Sequence, residues 1–448
     1  MRARSWSRAV VGLIGCGAAL SAQVFTVDAA GGAGAHFTNL ATAVATVPDG
    51  STLRVRAGRY AGFAIVGKGL AVVGEGLVEI VVPAAAPRAV SVSQTAPSQL
   101  VLLRNLVVWG TFADPAGAIL VDRAAGGVVL ELILAMGVFG VVGLDVRASA
   151  NVQVHRCQFA FGQPLNLTRV PGRIRVTDST LRVSGSDVTG YDRERPSMVT
   201  NYPGDEGGPA LEALRSRVEL VDVRLYGGVG SPGCNDTRLY RCGTALPGRG
   251  GSGAKLDTSR LVVLRSRIDA ADGAAAYVDI SGPVPPGHGG DCVQARSGSS
   301  VVVRGSTLRP GLGGGSGGVS GVVAVVDASS SLSITAAQPT SGEIQGPQES
   351  GRWLDFVARG APASPVVLLL SYSSALVPIE PLADGSLLAS PAMTLGPYGI
   401  APNGELRAPV TLPTPWPLGE TYAAQFVSLE PGLNTIWLGN SMPLHLNH

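Results

Sequence analysis

The stretch Val101-x-Leu103-x-x-Leu106-x-Val108 sets a pattern that returns along the middle of the chain. In each copy, two pairs of alternating apolar residues are separated by one extra residue. Alternation with a period of two is typical of a strand with one buried face, and the extra residue lets the strand turn a corner with the same face inward. Further copies begin at Val128, Val152, Leu181, Val218, Leu261 and Val301.

This repeat predicts a solenoid. One coil cannot bury its apolar face alone, whereas stacked coils can. The long segments between copies then become loops that leave the same corner of each coil. The sequence therefore predicts an all-β fold, a right-handed single-stranded parallel β-helix.

The composition agrees with this prediction. Hydrophobic residues make up 45% of the 448 residues and aromatic residues only 5%, so the core must consist of Val, Leu, Ile and Ala. Such residues suit stacked strands. A net charge of +2 gives no basis for a nucleic-acid partner. The sequence predicts no particular oligomeric state.

The N-terminus has the features of an export signal. Arg2, Arg4 and Arg8 precede an apolar run that ends before Ser21-Ala22, so residues 1–22 are predicted to be a signal peptide. No segment is long enough for a permanent transmembrane helix. We expect a secreted or cell-surface protein. An alternative is that the sequence around Cys16 resembles a lipobox, which would anchor the protein through a lipid on that cysteine.

Export permits disulfides. If Cys16 leaves with the signal, four cysteines remain and allow three pairings. Cys157 falls in an inward column and is predicted to be a buried thiol. Cys234 and Cys242 lie in one loop and are predicted to close it, with Cys292 as an alternative partner for either.

A helix is predicted over residues 38–47. Thr38 can cap it, and its apolar residues recur with helical spacing before Pro48-Asp49-Gly50 ends it. Because a solenoid exposes an apolar end unless something covers it, we expect this helix to be the N-terminal lid.

Three segments carry a family resemblance: VDAAGGAGAHFTNLATAV at 27–44, DGSTLRVRAGRY at 49–60 and GKGLAVVGEG at 67–76. They resemble the N-terminal coil of secreted pectin-lyase-like proteins, a superfamily of pectate lyases, pectin methylesterases, polygalacturonases and many uncharacterised bacterial surface proteins. The chain is most similar to the uncharacterised secreted β-helix proteins. The resemblance implies a β-helix fold and a polysaccharide substrate or partner.

Pairs of glycines recur before the strands, at 207–208, 250–251, 289–290 and 317–318. We expect turns there, with glycine supplying a positive φ where each loop re-enters its coil. A phosphate-binding loop would need a helix directly afterwards, and none is predicted.

The pattern changes near residue 351. Short apolar runs separated by Pro and Gly predict a small C-terminal β-sandwich over 351–448, following a β-helix that covers 23–346. The tryptophans of this module, Trp353, Trp416 and Trp437, are expected in its core.

Three long loops, at about 190–207, 227–250 and 270–289, hold the residues most suited to a site. Because coils stack about 4.8 Å apart, these loops should meet on one side of the solenoid. The candidate catalytic residues are Arg195, Arg249 and His288; the candidate metal ligands are Asp205, Glu206 and Asp291; the candidate substrate-binding residues are Asp192, Tyr202, Glu206, Arg238 and Tyr240.

The three enzyme chemistries of the family that the chain resembles make different demands on these residues. A lyase needs acidic ligands for Ca²⁺ and a base, which Arg195 or Arg249 would supply. An inverting hydrolase needs paired carboxylates, but Gly289-Gly290-Asp291 offers a single Asp. An esterase of the family needs inward-facing Asp residues, where this chain has Val, Ser and Leu. His155 is expected on the surface.

The sequence therefore favours an exported, non-catalytic protein whose loops bind an extracellular polysaccharide or another surface macromolecule. The alternative is a polysaccharide-degrading enzyme, a Ca²⁺-dependent lyase ahead of a hydrolase. Ca²⁺ is the one cofactor that this alternative would need.

Overall fold

The computed structural model describes residues 23–82, 88–110, 117–137, 142–161, 174–190, 206–230, 247–275, 277–279, 282–314, 318–335, 341–345, 353–359, 365–371, 376–378, 386–388, 393–403, 405–411, 421–430 and 435–445. The N-terminal elements are β1 Val24–Val27, α1 Leu40–Thr46, β2 Ser51–Ala61, β3 Phe63–Val66, β4 Leu70–Val81, β5 Val90–Ser93, β6 Leu100–Trp109, β7 Ile119–Asp122, β8 Gly127–Gly137 and β9 Leu144–Arg147. The central strands are β10 Asn151–His155, β11 Gln158–Phe161, β12 Ile174–Thr177, β13 Thr180–Ser184, β14 Asp187–Thr189, β15 Leu211–Leu214, β16 Arg217–Val221, β17 Arg224–Tyr226, β18 Ala254–Asp257, β19 Arg260–Leu264 and β20 Arg267–Asp269.

The remaining strands complete the solenoid and form a C-terminal module. They are β21 Tyr277–Asp279, β22 Gly282–Val284, β23 Val293–Arg296, β24 Ser300–Arg304, β25 Thr307–Arg309, β26 Ala324–Val326, β27 Ser331–Thr335, β28 Ser341–Gln345, β29 Trp353–Arg359, β30 Pro365–Ser371, β31 Leu376–Pro378, β32 Ser386–Leu388, β33 Met393–Gly399, β34 Glu405–Thr411, β35 Thr421–Glu430 and β36 Thr435–His445.

Parallel pairing builds the solenoid, as the repeat predicts. A nine-stranded sheet has the order β26-β23-β18-β15-β12-β9-β7-β5-β3. A sixteen-stranded sheet bends into two arms that meet at β8: a long arm of β10, β13, β16, β19, β24 and β27, and a short arm of β11, β14, β17, β20 and β25. Each central coil thus runs through the nine-stranded sheet, the long arm and the short arm before the next loop. The parallel β-helix is confirmed.

The repeated pattern predicts the register of the core. Val128, Val152, Leu181, Val218 and Leu261 are successive partners across the strands and are all buried. Between the two apolar pairs of each copy, one residue turns the chain in the left-handed φ region. The non-glycine residues at this corner are Asn105, Leu132, Arg156, Asp222 and Arg265.

Buried hydroxyls satisfy the backbone at the other corner, between the nine-stranded sheet and the long arm. The Ser216 hydroxyl donates to the Leu214 carbonyl at 2.7 Å and accepts from the Ser179 N–H at 3.2 Å. The Ser259 hydroxyl repeats this on the next coil, since it accepts from the Ser216 N–H at 3.0 Å. Turn groups that a strand ladder would leave unpaired are thereby hydrogen-bonded.

Helix α1 closes the N-terminal end of the core. Its cap is Asn39 rather than Thr38, and the Asn39 side chain accepts from the Thr42 N–H at 3.0 Å. Leu40, Ala43 and Val44 are buried against the first coil. The ammonium group of Lys68 donates to three carbonyls at the helix C-terminus, which are those of Val44, Ala45 and Val47.

The C-terminal strands pair antiparallel, in sheets β28-β29-β34 and β33-β30-β35-β36. Phe356, Val366 and Leu368 are fully buried there, consistent with a sandwich. The sequence assigned residues 341–345 to the solenoid, but β28 pairs with β29, so parallel pairing ends earlier, at Thr335 of β27.

Cys157 and Cys292 are buried free thiols, which confirms the prediction for Cys157. The predicted pair Cys234 and Cys242, the predicted signal peptide and Cys16 lie outside the described residues. In the part of the chain that the structure describes, no helix has the length and apolar character needed to cross a membrane.

Candidate functional site

The outer face of the nine-stranded sheet carries a row of polar side chains, one from each of five consecutive coils. The row follows the register of the strands and reads Asp145, Arg175, Glu212, Lys255 and Gln294. Because neighbouring strands lie about 4.8 Å apart, acidic and basic groups alternate at that spacing. The alternation allows each charge to be neutralised by the next coil.

Asp145 is the most buried carboxylate of this row, with no exposed surface. Arg175 donates to it through Nε at 3.2 Å and Nη2 at 2.7 Å, and Arg147 donates through Nη2 at 2.5 Å. Two guanidinium groups on one carboxylate satisfy its oxygens and compensate its loss of water.

The segments that return from the long loops add further charged groups. Glu206 lies 3.3 Å from the ammonium group of Lys255. Arg249 donates to the Asp291 carboxylate through Nη2 at 2.6 Å and to the Gly289 carbonyl through Nε at 3.1 Å. Three of the predicted site residues, Glu206, Arg249 and Asp291, therefore lie beside the polar row.

Asp291 is buried and accepts from three directions. Besides Arg249, it accepts from the Gln294 side chain at 3.0 Å and from the Val322 N–H at 3.0 Å. These contacts tie the return segment to its own strand and to the next coil. The carboxylate thereby acts as a structural link.

His288, predicted as a catalytic candidate, is exposed on the same return segment. Its Nδ1 accepts from the Val319 N–H at 3.2 Å, and its carbonyl accepts from the Gly250 N–H at 2.9 Å. The ring thus connects the coil of His288 to the next coil, and the carbonyl connects it to the preceding one.

The remaining candidates are outside the described residues: Asp192, Arg195, Tyr202, Asp205, Arg238 and Tyr240. The structure does describe the residues that flank their loops. Gly190 and Glu206 bracket the first loop, and Gly230 and Pro247 bracket the second, all at the edge where the short arm gives way to the nine-stranded sheet. The two loops therefore join the solenoid at the same edge as Glu206 and Arg249.

Within the described ranges, no group of three or more His, Cys, Asp or Glu side chains is placed to hold a metal ion. Of the predicted Ca²⁺ ligands, Asp291 and Glu206 are ion-paired with Arg249 and Lys255, and Asp205 is not described. The Ca²⁺ site stays a prediction that depends on the undescribed loop.

Two grooves run over this side of the solenoid. A groove of about 380 Å³ lies on the nine-stranded sheet, between coils that carry Arg175, Glu212, Lys255 and Arg296. A second, of about 690 Å³, lies along the adjoining corner and is lined by Asp178, Arg215, Arg217, Arg260 and the small residues of the turns. Both are open, and each is lined by apolar surface as well as by charged and polar side chains.

Glycine-rich segments pack against one another at the loop edge, the edge of the solenoid where the long loops join it. Their conformation contradicts the predicted glycine turns with a positive φ. Outgoing and returning segments alternate, with Gly228 donating to the Gly208 carbonyl and Gly251 donating to the Gly228 carbonyl. Gly207, Gly208, Gly250 and Gly251 do not have a positive φ, so they are not the predicted turns. A Cβ at Gly207 would lie 1.9 Å from the Gly228 oxygen. Glycine is required here because backbones touch.

The prediction that His155 lies on the surface is wrong. It points away from the core on the outer face of the long arm, yet it is buried, with Nδ1 2.9 Å from the Ser184 hydroxyl. Burial lowers the pKa of His155 to about 3. Alternation along a strand identifies the outward side of His155 but does not show whether another part of the protein covers it.

The same outer face holds further buried charges that the sequence did not reveal. Arg182 and Glu219 form an ion pair at 3.3 Å and are both almost fully buried. Glu131 lies 3.5 Å from Arg104, and burial raises the pKa of the Glu131 carboxyl. These charged groups lie on an outer face that is buried, whereas the two grooves are open to solvent.

No family model matches the chain, and no curated protein matches it. Solved structures are similar at low identity. Pectate lyase Pel9A has 13% identity and a TM-score of 0.41, covering 71% of this chain and 81% of its own. The enzymatically active domain of bacteriophage CBA120 tailspike protein 2 has 11% identity and a TM-score of 0.29, covering 88% and 72%. The catalytic domain of a GH87 α-1,3-glucanase has 12% identity and a TM-score of 0.27, covering 64% of each.

These likenesses concern the architecture and assign no activity. The long sheets, in which strands of successive coils pair in parallel, are those of a parallel β-helix.

Proposed function

We propose that this is an exported, non-catalytic β-helix protein that binds an extracellular polysaccharide on the outer face of its nine-stranded sheet. The observation that carries the proposal is the part of the polar row from Arg175 to Gln294, which lines an open groove with alternating donors and acceptors.

The groove suits an extended chain. Its polar groups repeat coil by coil along the solenoid axis, about 4.8 Å apart. A polymer lying along that axis would meet similar hydrogen-bonding groups at each step, and sugar hydroxyls both donate and accept. The resemblance of the N-terminal coil to pectin-lyase-like proteins supports polysaccharide as the ligand class.

The state of the carboxylates supports binding over catalysis. A general acid or base must be within hydrogen-bond reach of the substrate proton. Here Asp145, Asp291 and Glu206 are each bound by a cationic side chain of the protein itself. Such pairs shape a surface and hold its side chains in place.

The loops 191–205 and 231–246 would extend the surface. Asp192, Tyr202, Arg238 and Tyr240 are proposed to contact the polysaccharide from the loop edge, next to Glu206. The sugar faces of a polysaccharide pack well on tyrosine rings, and its hydroxyls suit the charged groups.

The proposal is tested by calorimetry with neutral and acidic polysaccharides. Lys255→Glu reverses a charge in the centre of the groove and should weaken binding at least about tenfold, roughly 1.4 kcal/mol. Arg59→Glu makes the same charge change at an exposed position of β2, remote from the groove, and should leave the affinity unchanged. Equal affinities for the wild type and Lys255→Glu would contradict the proposed surface.

The enzyme alternative is checked in the same samples. A lyase would produce unsaturated sugars that absorb in the ultraviolet, and its rate would depend on Ca²⁺. A Ca²⁺-dependent rise that Asp205→Ala removes would replace the binding proposal with a lyase.

Export is proposed from the sequence and is tested on protein recovered from the host. Mass spectrometry should show a chain that begins at Gln23. A chain that begins at Cys16 with attached lipid would show the anchored form instead.

A further inference from the structure

The groove of about 690 Å³ at the turn between the nine-stranded sheet and the long arm, here called the corner groove, has a floor of small residues. The hydroxyls of Ser179, Ser216 and Ser259 on this floor each donate to the backbone carbonyl two residues earlier. Because these hydroxyls are committed to holding the turns, recognition of a ligand falls to the charged side chains beside them.

The charged side chains of the corner groove are mostly cationic. Three arginines and one aspartate are among its described lining residues, a net charge of +2. Asp178 is ion-paired with Arg215 at 2.6 Å, so this pair is close to neutral. The net positive charge of the groove therefore belongs to Arg217 and Arg260.

Arg217 and Arg260 lie side by side. They are register partners on the adjacent strands β16 and β19, about 4.8 Å apart. The next residues of this row are Thr180 before Arg217 and Ser300 after Arg260, and neither carries a charge. Like charges directly opposite each other on neighbouring strands are destabilising.

A second pair of neighbouring arginines shows how such a pair is neutralised elsewhere on the solenoid. Arg224 and Arg267 are register partners on the short arm. Asp187 is the strand partner of Arg224 on its other side. Arg267 donates to the Asp269 carboxylate at 2.6 Å. Each arginine of this second pair thus has a carboxylate beside it.

The corner groove differs in this respect. Glu219, two residues beyond Arg217 on β16, is buried and lies 3.3 Å from Arg182, so its charge is already matched by another arginine. Positive charge is thus concentrated in the corner groove, whereas the polar row on the nine-stranded sheet alternates in sign. A departure of this kind from favourable charge pairing is typical of a functional site.

We propose that the corner groove binds the sulfate or phosphate monoester groups of an extracellular polymer. Guanidinium groups bind oxyanions through a fork of N–H donors. A monoester has three terminal oxygens, so one such group can accept from Arg217 and Arg260 together. The groove runs across the turns of five successive coils, roughly 19 Å along the solenoid axis, which gives room for several units of a polymer.

This site is separate from the proposed polysaccharide surface. The described residues that line the corner groove and those that line the groove on the nine-stranded sheet have no member in common. The corner groove can therefore bind a charged polymer whether or not the sheet groove binds a polysaccharide.

The ligand class is tested by calorimetry on the full-length mature protein with four polymers of one backbone: dextran, dextran sulfate, dextran phosphate and carboxymethyl dextran. At least one of the two ester polymers should bind about tenfold or more tightly than dextran and carboxymethyl dextran. The two esters distinguish sulfate from phosphate as the natural group. Failure of both esters to bind, or equal binding of carboxymethyl dextran, would overturn the proposal.

The place of binding is tested with variants. Arg217→Gln and Arg260→Gln should each weaken binding of the ester polymer by about tenfold, since each removes a charged donor. The matched control is Arg224→Gln, which removes one positive charge from an exposed position of the same coil and should leave the affinity unchanged. An equal loss in the control, or no loss in the groove variants, would overturn the proposal.

Two further measurements separate the possible causes of a loss. Circular dichroism establishes that each variant is folded. Arg217→Lys replaces Arg217→Gln if the latter does not fold, and it should still lose affinity because it lacks the fork of donors. Binding of a neutral polysaccharide should be the same in Arg217→Gln and the wild type. Failure of the corner groove to bind esters is therefore distinguishable from failure of the proposed polysaccharide surface.

Discussion

Asp145 and Arg175 lie side by side on consecutive coils, and the Arg175 guanidinium binds the Asp145 carboxylate through two hydrogen bonds of 3.2 and 2.7 Å. The carboxylate has no exposed surface, and Arg147 donates to it as well. A charge buried in this way is stable only while its partners remain. The pair therefore joins Arg175, which lines the groove, to a buried carboxylate on which the stability of the solenoid depends.

Removal of the buried carboxylate should destabilise the protein strongly. Asp145→Ala leaves two arginines without their shared partner, and we expect a loss of about 2–4 kcal/mol, because both guanidinium groups can regain some water. Urea denaturation followed by circular dichroism measures the change. The control is Asp178→Ala, which breaks the exposed Asp178–Arg215 pair and should hardly move the midpoint. Equal shifts for the two variants would contradict the argument.

The sequence predicted the solenoid because the core residues of each coil lie close together in the sequence. The two apolar pairs of each copy require one inward face, and the residue between them requires a corner, which Arg156 and Asp222 occupy with a positive φ. Val152, Val154 and Phe159 all lie in the core columns that the pattern assigned to them. Their register followed from stacking identical coils.

The features that the sequence did not reveal depend on contacts between distant segments. The glycine pairs look like turns in the sequence, but Gly251 is constrained by the Gly207 and Gly208 carbonyls of the preceding coil. His155 alternates outward as predicted, yet its side chain is buried in the folded protein. The ion pair of Arg249 with Asp291 joins residues forty-two positions apart, a distance at which spacing gives no guidance.

Close backbone packing at the loop edge should make glycine indispensable there. In Gly251→Ala, the new Cβ would lie 2.3 Å from the Gly208 oxygen, so two backbone segments must separate, at a cost of about 3 kcal/mol or more. The control is Gly399→Ala, where a Cβ meets no atom within 4 Å. Urea midpoints compare the two. A midpoint for Gly251→Ala as high as that of the control would show that the edge is loosely packed.

The buried imidazole of His155 should make the protein sensitive to mild acid. Burial lowers the pKa of His155 to about 3, below the usual histidine value of 6.5, so the unfolded chain binds the proton more readily. This contribution to stability is complete above pH 6.5 and is lost as the pH falls toward 3. Glu131 acts in the opposite sense, because burial raises the pKa of its carboxyl and protonation in acid relieves the buried charge.

The comparison of variants isolates the histidine from the carboxylates. Between pH 7 and 5 the wild-type midpoint should fall more steeply than that of His155→Gln, which has no titrating ring. Parallel curves for the wild type and His155→Gln would show that the imidazole is solvated when the protein is folded.

Thiol counting should resolve the cysteine arrangement. Burial raises the pKa of the Cys157 and Cys292 thiols to about 12, so neither should react with a thiol reagent near pH 8 while the protein is folded. Unfolding without reductant should expose these two thiols, and unfolding with reductant should expose four, because Cys234 and Cys242 are predicted to be paired and Cys16 to be removed with the signal. The readout is the absorbance of the released reagent, and Cys234→Ser should release one thiol from Cys242 without reductant. Four reactive thiols in the unreduced, unfolded wild type would show that the predicted loop disulfide does not form.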